Sequence, residues 1–304
     1  MSQTPHNTVL EIALLVLLSF LWGASFTLIE VAIDTIPPAT IVFGRLVIGA
    51  ALLVLFALWS GVTFPRSLSR WGSLLVQGIL QSALPFTLIS WGQKHIDSGL
   101  TGLLNTTPPL FVFFIGFFLL RDRSAGARHI TGILLGFAGV LVIMGPAALA
   151  GEGNSVLGQL AITGASLSYA VAAIYAKRFS DQPPVLTAAC SMAFAALLMG
   201  PVSFWVDDPF SLTPTAPAVA AVVAMGVFST AIAMAIYFRL VRTLGPLGVT
   251  TGSYMRAGFS VVLGVVLLGE ALSPTLILGL VMIFAGVAIV TGHLKSPTRK
   301  PAIS

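Results

Sequence analysis

The sequence predicts an all-α polytopic membrane protein, ten transmembrane helices arranged as two inverted five-helix repeats. Composition is the first observation. Of 304 residues, 57% are hydrophobic and only 8% are charged, with a mean hydropathy of +1.00, whereas a soluble domain carries about 25% charged residues. The second is an internal repeat. Gly78 to Ser124 lies on Gly226 to Leu272 without a gap, bringing Gly78 onto Gly226, Lys94 onto Arg242, Phe111 onto Phe259 and Gly116 onto Gly264. After one-residue slips, Phe137-Ala138-Gly139-Val140 meets Phe284-Ala285-Gly286-Val287, and Trp22 meets Tyr169. The third is parity. Each copy holds five spans, and five is odd, so tandem copies enter the bilayer in opposite senses. Inverted repeats of this kind mark secondary transporters with a site near the midplane.

A helix needs roughly 20 mostly apolar residues to cross the hydrocarbon. The first span is placed at 9–30. No Lys or Arg precedes it in residues 1–8, and its apolar run from Val9 to Ile29 exceeds the ~7–15 residues of a signal-peptide core, so it reads as a spanning helix. Pro37-Pro38 open the second, 38–59; Pro65, Arg66 and Arg70 separate it from the third, 71–93, with Pro85 inside. The fourth, 99–120, contains Pro108-Pro109, which predict a kink or a broken backbone. Arg121, Arg123 and Arg128 precede the fifth, 129–146, where Gly132, Gly136, Gly139 and Gly145 favour close helix packing. The sixth, 156–176, ends at Lys177-Arg178, and Pro183-Pro184 introduce the seventh, 185–206. Pro209 and Pro214 precede the eighth, 216–238; Arg239 and Arg242 precede the ninth, 247–268; Pro274 opens the tenth, 274–293. The repeats are therefore 9–146 and 156–293, with tails 1–8 and 294–304.

Orientation follows from the basic residues. With the N-terminus inside, the inner loops and tail hold twelve Lys and Arg and the outer loops hold Lys94 alone, while Glu30, Asp34, Asp97, Glu152, Asp207, Asp208 and Glu270 gather outside. This asymmetry predicts cytoplasmic termini. It also accounts for the net charge of +5 without nucleic acid as a partner. The single cysteine, Cys190, excludes an intrachain disulfide and a cysteine metal site.

Two arginines fall inside spans. Arg256 sits near the middle of the ninth, in Thr250-Thr251-Gly252-Ser253-Tyr254-Met255-Arg256, and meets Pro108 on the repeat, in Asn105-Thr106-Thr107-Pro108-Pro109. Charge at the bilayer centre costs about 2.5–3.5 kcal/mol on insertion scales and marks function by default. Arg256 is expected to attract a carboxylate; the competing reading ties it to backbone carbonyls bared at a kink. Arg45 lies nearer a span end, and snorkelling towards Glu30 or Asp34 is its leading explanation. Gln77 and Gln81 are one turn apart and share a face. Together with Asn105, Trp22 and Tyr169 they are candidates for a cavity lining, against a competing role in interhelical hydrogen bonds. Trp91, Tyr175 and Tyr237 lie towards span ends, where they read as interface anchors.

Absences narrow the class. No Asp or Glu occupies the middle of a span, so a proton relay lacks an obvious carrier and uniport or exchange is favoured. No phosphate-binding loop is present, nor a metalloprotease or serine-hydrolase motif, so neither an ATPase nor another enzyme is expected. No cofactor or metal is expected. A passive channel ranks lower, because the polar groups cluster at one depth.

Leu21-Trp22-Gly23-Ala24-Ser25-Phe26, Arg45 early in the second span, and Leu267-Leu268-Gly269-Glu270 closing the ninth resemble the drug/metabolite transporter (DMT) superfamily, its EamA-type branch. The match extends over about residues 10–293 and is similar to bacterial amino-acid exporters of the YddG type. The resemblance implies a basket in which spans 1, 3, 4, 6, 8 and 9 surround a cavity and spans 5 and 10 pack at the side. It implies export of amino acids and related metabolites across the bacterial inner membrane by alternating access, as a monomer, with a small-molecule substrate and the lipid bilayer as its only partners. By position, Trp22, Tyr169, Gln77 and Gln81 line the cavity. The expected substrate-binding set is Arg256, Trp22, Gln77, Gln81, Asn105, Tyr169, Ser253 and Tyr254. Two departures stand out. The family often has proline where Arg256 stands, and Glu11 lies at the entrance rather than in mid-span, which argues against proton-driven multidrug export.

Overall fold

Spans that are apolar on nearly every side have one stable environment, a bilayer with protein neighbours, and the helices follow from that. A computed structural model describes residues 8–119, 127–149, 153–244, 249 and 252–291, and every regular element among these residues is helical. Helix α1 is Thr8–Ile33 and α2 is Pro38–Trp59. Helix α3 is Leu68–Gly92, with a π turn at Ile79–Ala83. Helix α4 comes in two pieces, Ser98–Leu104 and Pro108–Phe114, and continues as a π turn over Ile115–Leu119. Helix α5 is Ala127–Leu149; α6 is Gly153–Tyr175, closed by a 3₁₀ turn at Ala176–Phe179. Helix α7 is Pro184–Val206, and α8 is Ala216–Thr243 with a π turn at Met225–Ile232. Helix α9 is Gly252–Leu263, extended by a π turn at Gly264–Leu268, and α10 is Pro274–Thr291. Seven of these helices are long and apolar enough to cross a membrane, and shorter apolar stretches in α5, α9 and α10 complete the ten.

Prolines begin α2, α7 and α10 at the first helical position, where a missing N–H costs nothing. Helix α8 runs past its expected end at 238 to Thr243, so Arg239 and Arg242 ride on the helix. The two halves match in a way that residue identity did not reveal. The π turn of α3 falls at the repeat equivalent of the one in α8, and that of α4 at the equivalent of the one in α9.

The pairings respect the repeat. Helix α2 packs on its counterpart α7, and α5 on its counterpart α10. Glycine sets the second contact. A Cβ on Gly139 would lie 2.7 Å from the Gly279 carbonyl oxygen, and one on Gly286 would lie 2.5 Å from that of Gly132, so the two backbones touch directly. Between these pairs, α1 packs on α8 and α9, while α6 packs on α3 and α4. Leu55, Leu134, Leu141, Leu197 and Val266 point outward, as lipid-facing side chains do.

Each end of the bundle carries a tie between halves. At one end the buried Glu11 carboxylate accepts from Arg239 Nη2 and Thr243 Oγ1, both at 2.9 Å. At the other, Glu270 caps the start of α4. Its Oε1 accepts from Ser98 N–H at 2.9 Å and from the Ser98 hydroxyl, and its Oε2 from Gly99 N–H at 2.8 Å. Gly269, at φ +71°, turns the chain so that Glu270 folds back. A side chain on either Gly99 or Gly264 would collide with the carboxylate. Asp97, in the preceding loop, has its carboxyl pushed above the usual range, first by burial and then by the Glu270 charge.

Candidate functional site

The site begins with a defect in α4. Pro108 and Pro109 have no N–H, so the carbonyls of Leu104 and Asn105 lose the donors that a continuous helix would give them. The helix breaks over Asn105–Thr107, and side chains supply the missing donors. Thr107 Oγ1 donates to the Leu104 carbonyl at 2.9 Å, and Ser166 Oγ of α6 donates to it at 3.3 Å. Thr106 Oγ1 donates to the Leu103 carbonyl at 2.7 Å. The Asn105 carbonyl is taken by Arg256 Nη2 of α9, which also donates to Asn105 Oδ1 at 2.7 Å.

Arg256 therefore fills half of each earlier reading. One Nη holds the break. The residue also lines a cavity, and its Nε is buried without a hydrogen-bond partner. The cavity lies between the halves, enclosed by α1, α2, α3, α4, α6, α8 and α9, and its volume is about 50 Å³. Trp22, Ser25, Phe26 and Ile29 line it from α1, Gln81, Phe86 and Ile89 from α3, and Pro108 from α4. Tyr169 and Ala173 come from α6, Met234 and Tyr237 from α8, and Ser253 and Arg256 from α9. Arg45 adds α2 to the wall, which the expected arrangement of spans omitted.

The π turn of α8 positions two of these groups. Trp22 Nε1 donates to the Ser229 carbonyl at 3.1 Å, and Ser229 Oγ donates back to the Leu21 carbonyl at 2.8 Å. The fixed indole packs on Tyr237 with ring centroids 5.5 Å apart and holds the Arg256 guanidinium carbon 5.7 Å from its own ring. The next residue, Thr230, accepts from Arg45 Nε at 3.3 Å, and the Arg45 guanidinium carbon lies 4.0 Å over the Phe86 ring. Among the described residues, neither arginine forms a salt bridge; the two that exist are Arg70–Asp181 and Arg239–Glu11.

Of the residues singled out from sequence, Trp22, Gln81, Tyr169, Ser253 and Arg256 meet in this cavity. Gln77 does not line it. A π turn at Ile79–Ala83 lies between Gln77 and the end of this stretch, and both Gln77 amide atoms are buried without a partner. Asn105 does not line it either, being fully buried against Arg256 with its Nδ2 unpartnered. The side chain of Tyr254 lies outside the described residues. Arg45 does not snorkel; it is 3% exposed and turned inward. Tyr237 is no interface anchor but part of the cavity wall. Phe86 and Met234 carried no signal in the sequence beyond apolarity. No group of His, Cys, Asp and Glu large enough to hold a metal occurs among the described residues.

The model of the EamA-like transporter family matches the chain twice, at residues 9–145 and 156–292. The "Uncharacterized transporter YvbV" of Bacillus subtilis is 27% identical over 99% of this chain and 97% of its own. The "Uncharacterized inner membrane transporter YedA" of Escherichia coli K12 is 26% identical over 94% of this chain and 92% of its own. A solved crystal structure has the same fold, with TM-score 0.67 and 21% identity over 94% of this chain and 98% of that one.

Proposed function

Because this chain belongs to the EamA-like transporter family, we propose that it exports small carboxylate-bearing metabolites, amino acids among them, from the bacterial cytoplasm by alternating access. The observation that carries this reading is Arg256, held by Asn105 on the broken α4 and lining a cavity between the repeats. The substrate carboxylate docks on the free edge of that guanidinium. Gln81 Oε1, buried without a protein partner, accepts from the solute, and Trp22 and Tyr169 pack its carbon frame. The halves 9–146 and 156–293 rock about this site as a uniporter or exchanger, in a monomer that needs no cofactor. The Glu11–Arg239 tie closes the cytoplasmic end, where both termini lie, and the Glu270 tie closes the outer end. The basic residues on one set of loops and the inner-membrane description of YedA support this placement.

Arg256→Ala tests the reading. The variant leaves the Asn105 carbonyl unpaired, which costs about 1–3 kcal/mol. It still folds, and it abolishes exchange of labelled amino acids in proteoliposomes. Exchange at the wild-type rate by a folded Arg256→Ala protein removes Arg256 from the mechanism.

A further inference from the structure

The cavity holds two cations and no carboxylate. Arg45 and Arg256 both line it, both are at least nine-tenths buried, and no Asp or Glu is among the lining residues. Neither forms an ion pair among the described residues. Neutral groups hold them instead: Thr230 and the Phe86 ring for Arg45, and Asn105 and the Trp22 ring for Arg256. Such contacts orient a guanidinium without cancelling its charge. Two uncompensated charges in a low-dielectric interior are costly, and the cost falls sharply when anions enter with the solute.

The two arginines also come from different helices and have different anchors. Arg45 belongs to α2 and is anchored at Thr230, whereas Arg256 belongs to α9 and is anchored at Asn105. The Trp22 indole, fixed to Ser229, stands beside Arg256 and next to the Arg45 anchor. Tyr169 lies within electrostatic reach of both guanidiniums. A monoanion compensates only one of the two charges. A solute with two acid groups on one carbon frame engages both.

We infer that the preferred substrate is a dicarboxylate, with one carboxylate on Arg256, the other on Arg45, and its carbon frame against the aromatic wall of Trp22 and Tyr169. The inference rests on the carboxylate reading above and narrows it. It also separates the two cations by role. Arg256 receives the carboxylate that any substrate shares, and Arg45 selects for the second. The lining offers no carboxylate to a substrate ammonium, so a neutral amino acid leaves one arginine uncompensated and ranks below a dicarboxylate.

The test uses the full chain, purified and reconstituted, with succinate, glutamate, alanine and inorganic phosphate as labelled probes. Wild-type protein exchanges succinate at least about ten-fold more efficiently than alanine, a difference of about 1.4 kcal/mol. Glutamate falls between them, and phosphate is not exchanged. Arg45→Gln lowers succinate exchange at least about ten-fold more than alanine exchange, so the succinate preference is lost. Thermal unfolding of wild-type protein in detergent gives a second readout that needs no variant. Succinate raises the midpoint more than equimolar lactate does, because a ligand that binds only the folded state stabilises it by mass action. The inference is overturned if alanine is exchanged as well as succinate, if Arg45→Gln depresses both alike, or if phosphate outcompetes both. In each of those cases exchange by itself leaves the transporter reading standing. Absence of exchange for every carboxylate removes both.

Discussion

Helices α4 and α9 occupy equivalent places in the two halves, yet they solve the same depth of the membrane in opposite ways. Helix α4 carries Pro108-Pro109 and breaks, baring the carbonyls of Leu104 and Asn105. Helix α9 has Arg256 where α4 has Pro108, and it stays helical from Gly252 to Leu263. One half supplies unpaired acceptors and the other a buried donor, and the two meet at Asn105. A perfectly symmetric pair satisfies neither need. Two breaks leave spare carbonyls without a cation, and two arginines repel. The asymmetry is what allows a charge to sit in the middle of the protein with part of its donor set still free.

The strongest way to break this comparison is to repair α4. Pro108→Ala together with Pro109→Ala restores the missing N–H groups and lets the Asn105 carbonyl bond within its own helix. Arg256 then loses its backbone anchor. Exchange in proteoliposomes falls at least about ten-fold while the thermal midpoint is held or raised, since each proline costs about 3 kcal/mol in a helix interior. A repaired helix with full activity shows that the break has no role. A smaller effect comes from Asn105→Ala, which removes the Oδ1 acceptor and keeps the carbonyl. A hydrogen bond to a charged group contributes about 1.5–3 kcal/mol; the variant unfolds earlier by that order, and its substrate affinity drops several-fold. Unchanged affinity confines Asn105 to packing.

The smallest effect belongs to the tie between the end of α9 and the start of α4. Glu270→Gln keeps the shape and removes the charge that receives the Ser98 and Gly99 N–H groups, costing about 1 kcal/mol. It also alters the pH dependence. The Asp97 carboxyl is held above its ordinary value by burial and by Glu270. Its contribution is complete below the ordinary carboxylate range and is lost as pH rises through the shifted value. With Gln at 270 that loss shrinks, which thermal unfolding followed from acid to neutral pH detects. An unaltered pH profile shows that the two carboxylates do not interact.

The spans and the repeat were legible because they depend on local composition and on spacing along one chain. Pro108-Pro109 announced the break for the same reason. Arg45 was misread because its depth alone suggested an escape to the surface, whereas its orientation depends on Phe86 and Thr230, which other helices bring to it. Gln77 is buried but absent from the cavity lining, because which residues reach the cavity depends on how neighbouring helices close over α3, which spacing along one helix does not carry. Asn105 was expected to line the cavity, yet its partner turned out to be the arginine itself.

The seam between α5 and α10 carries a mechanical consequence. With Gly139 against Gly279 and Gly132 against Gly286, main chain abuts main chain, and the Met282 and Ile143 side chains already close on the same glycines. Sliding by one residue, about 1.5 Å, would press these side chains onto the opposing main chain, so the seam resists shear more than it resists tilt.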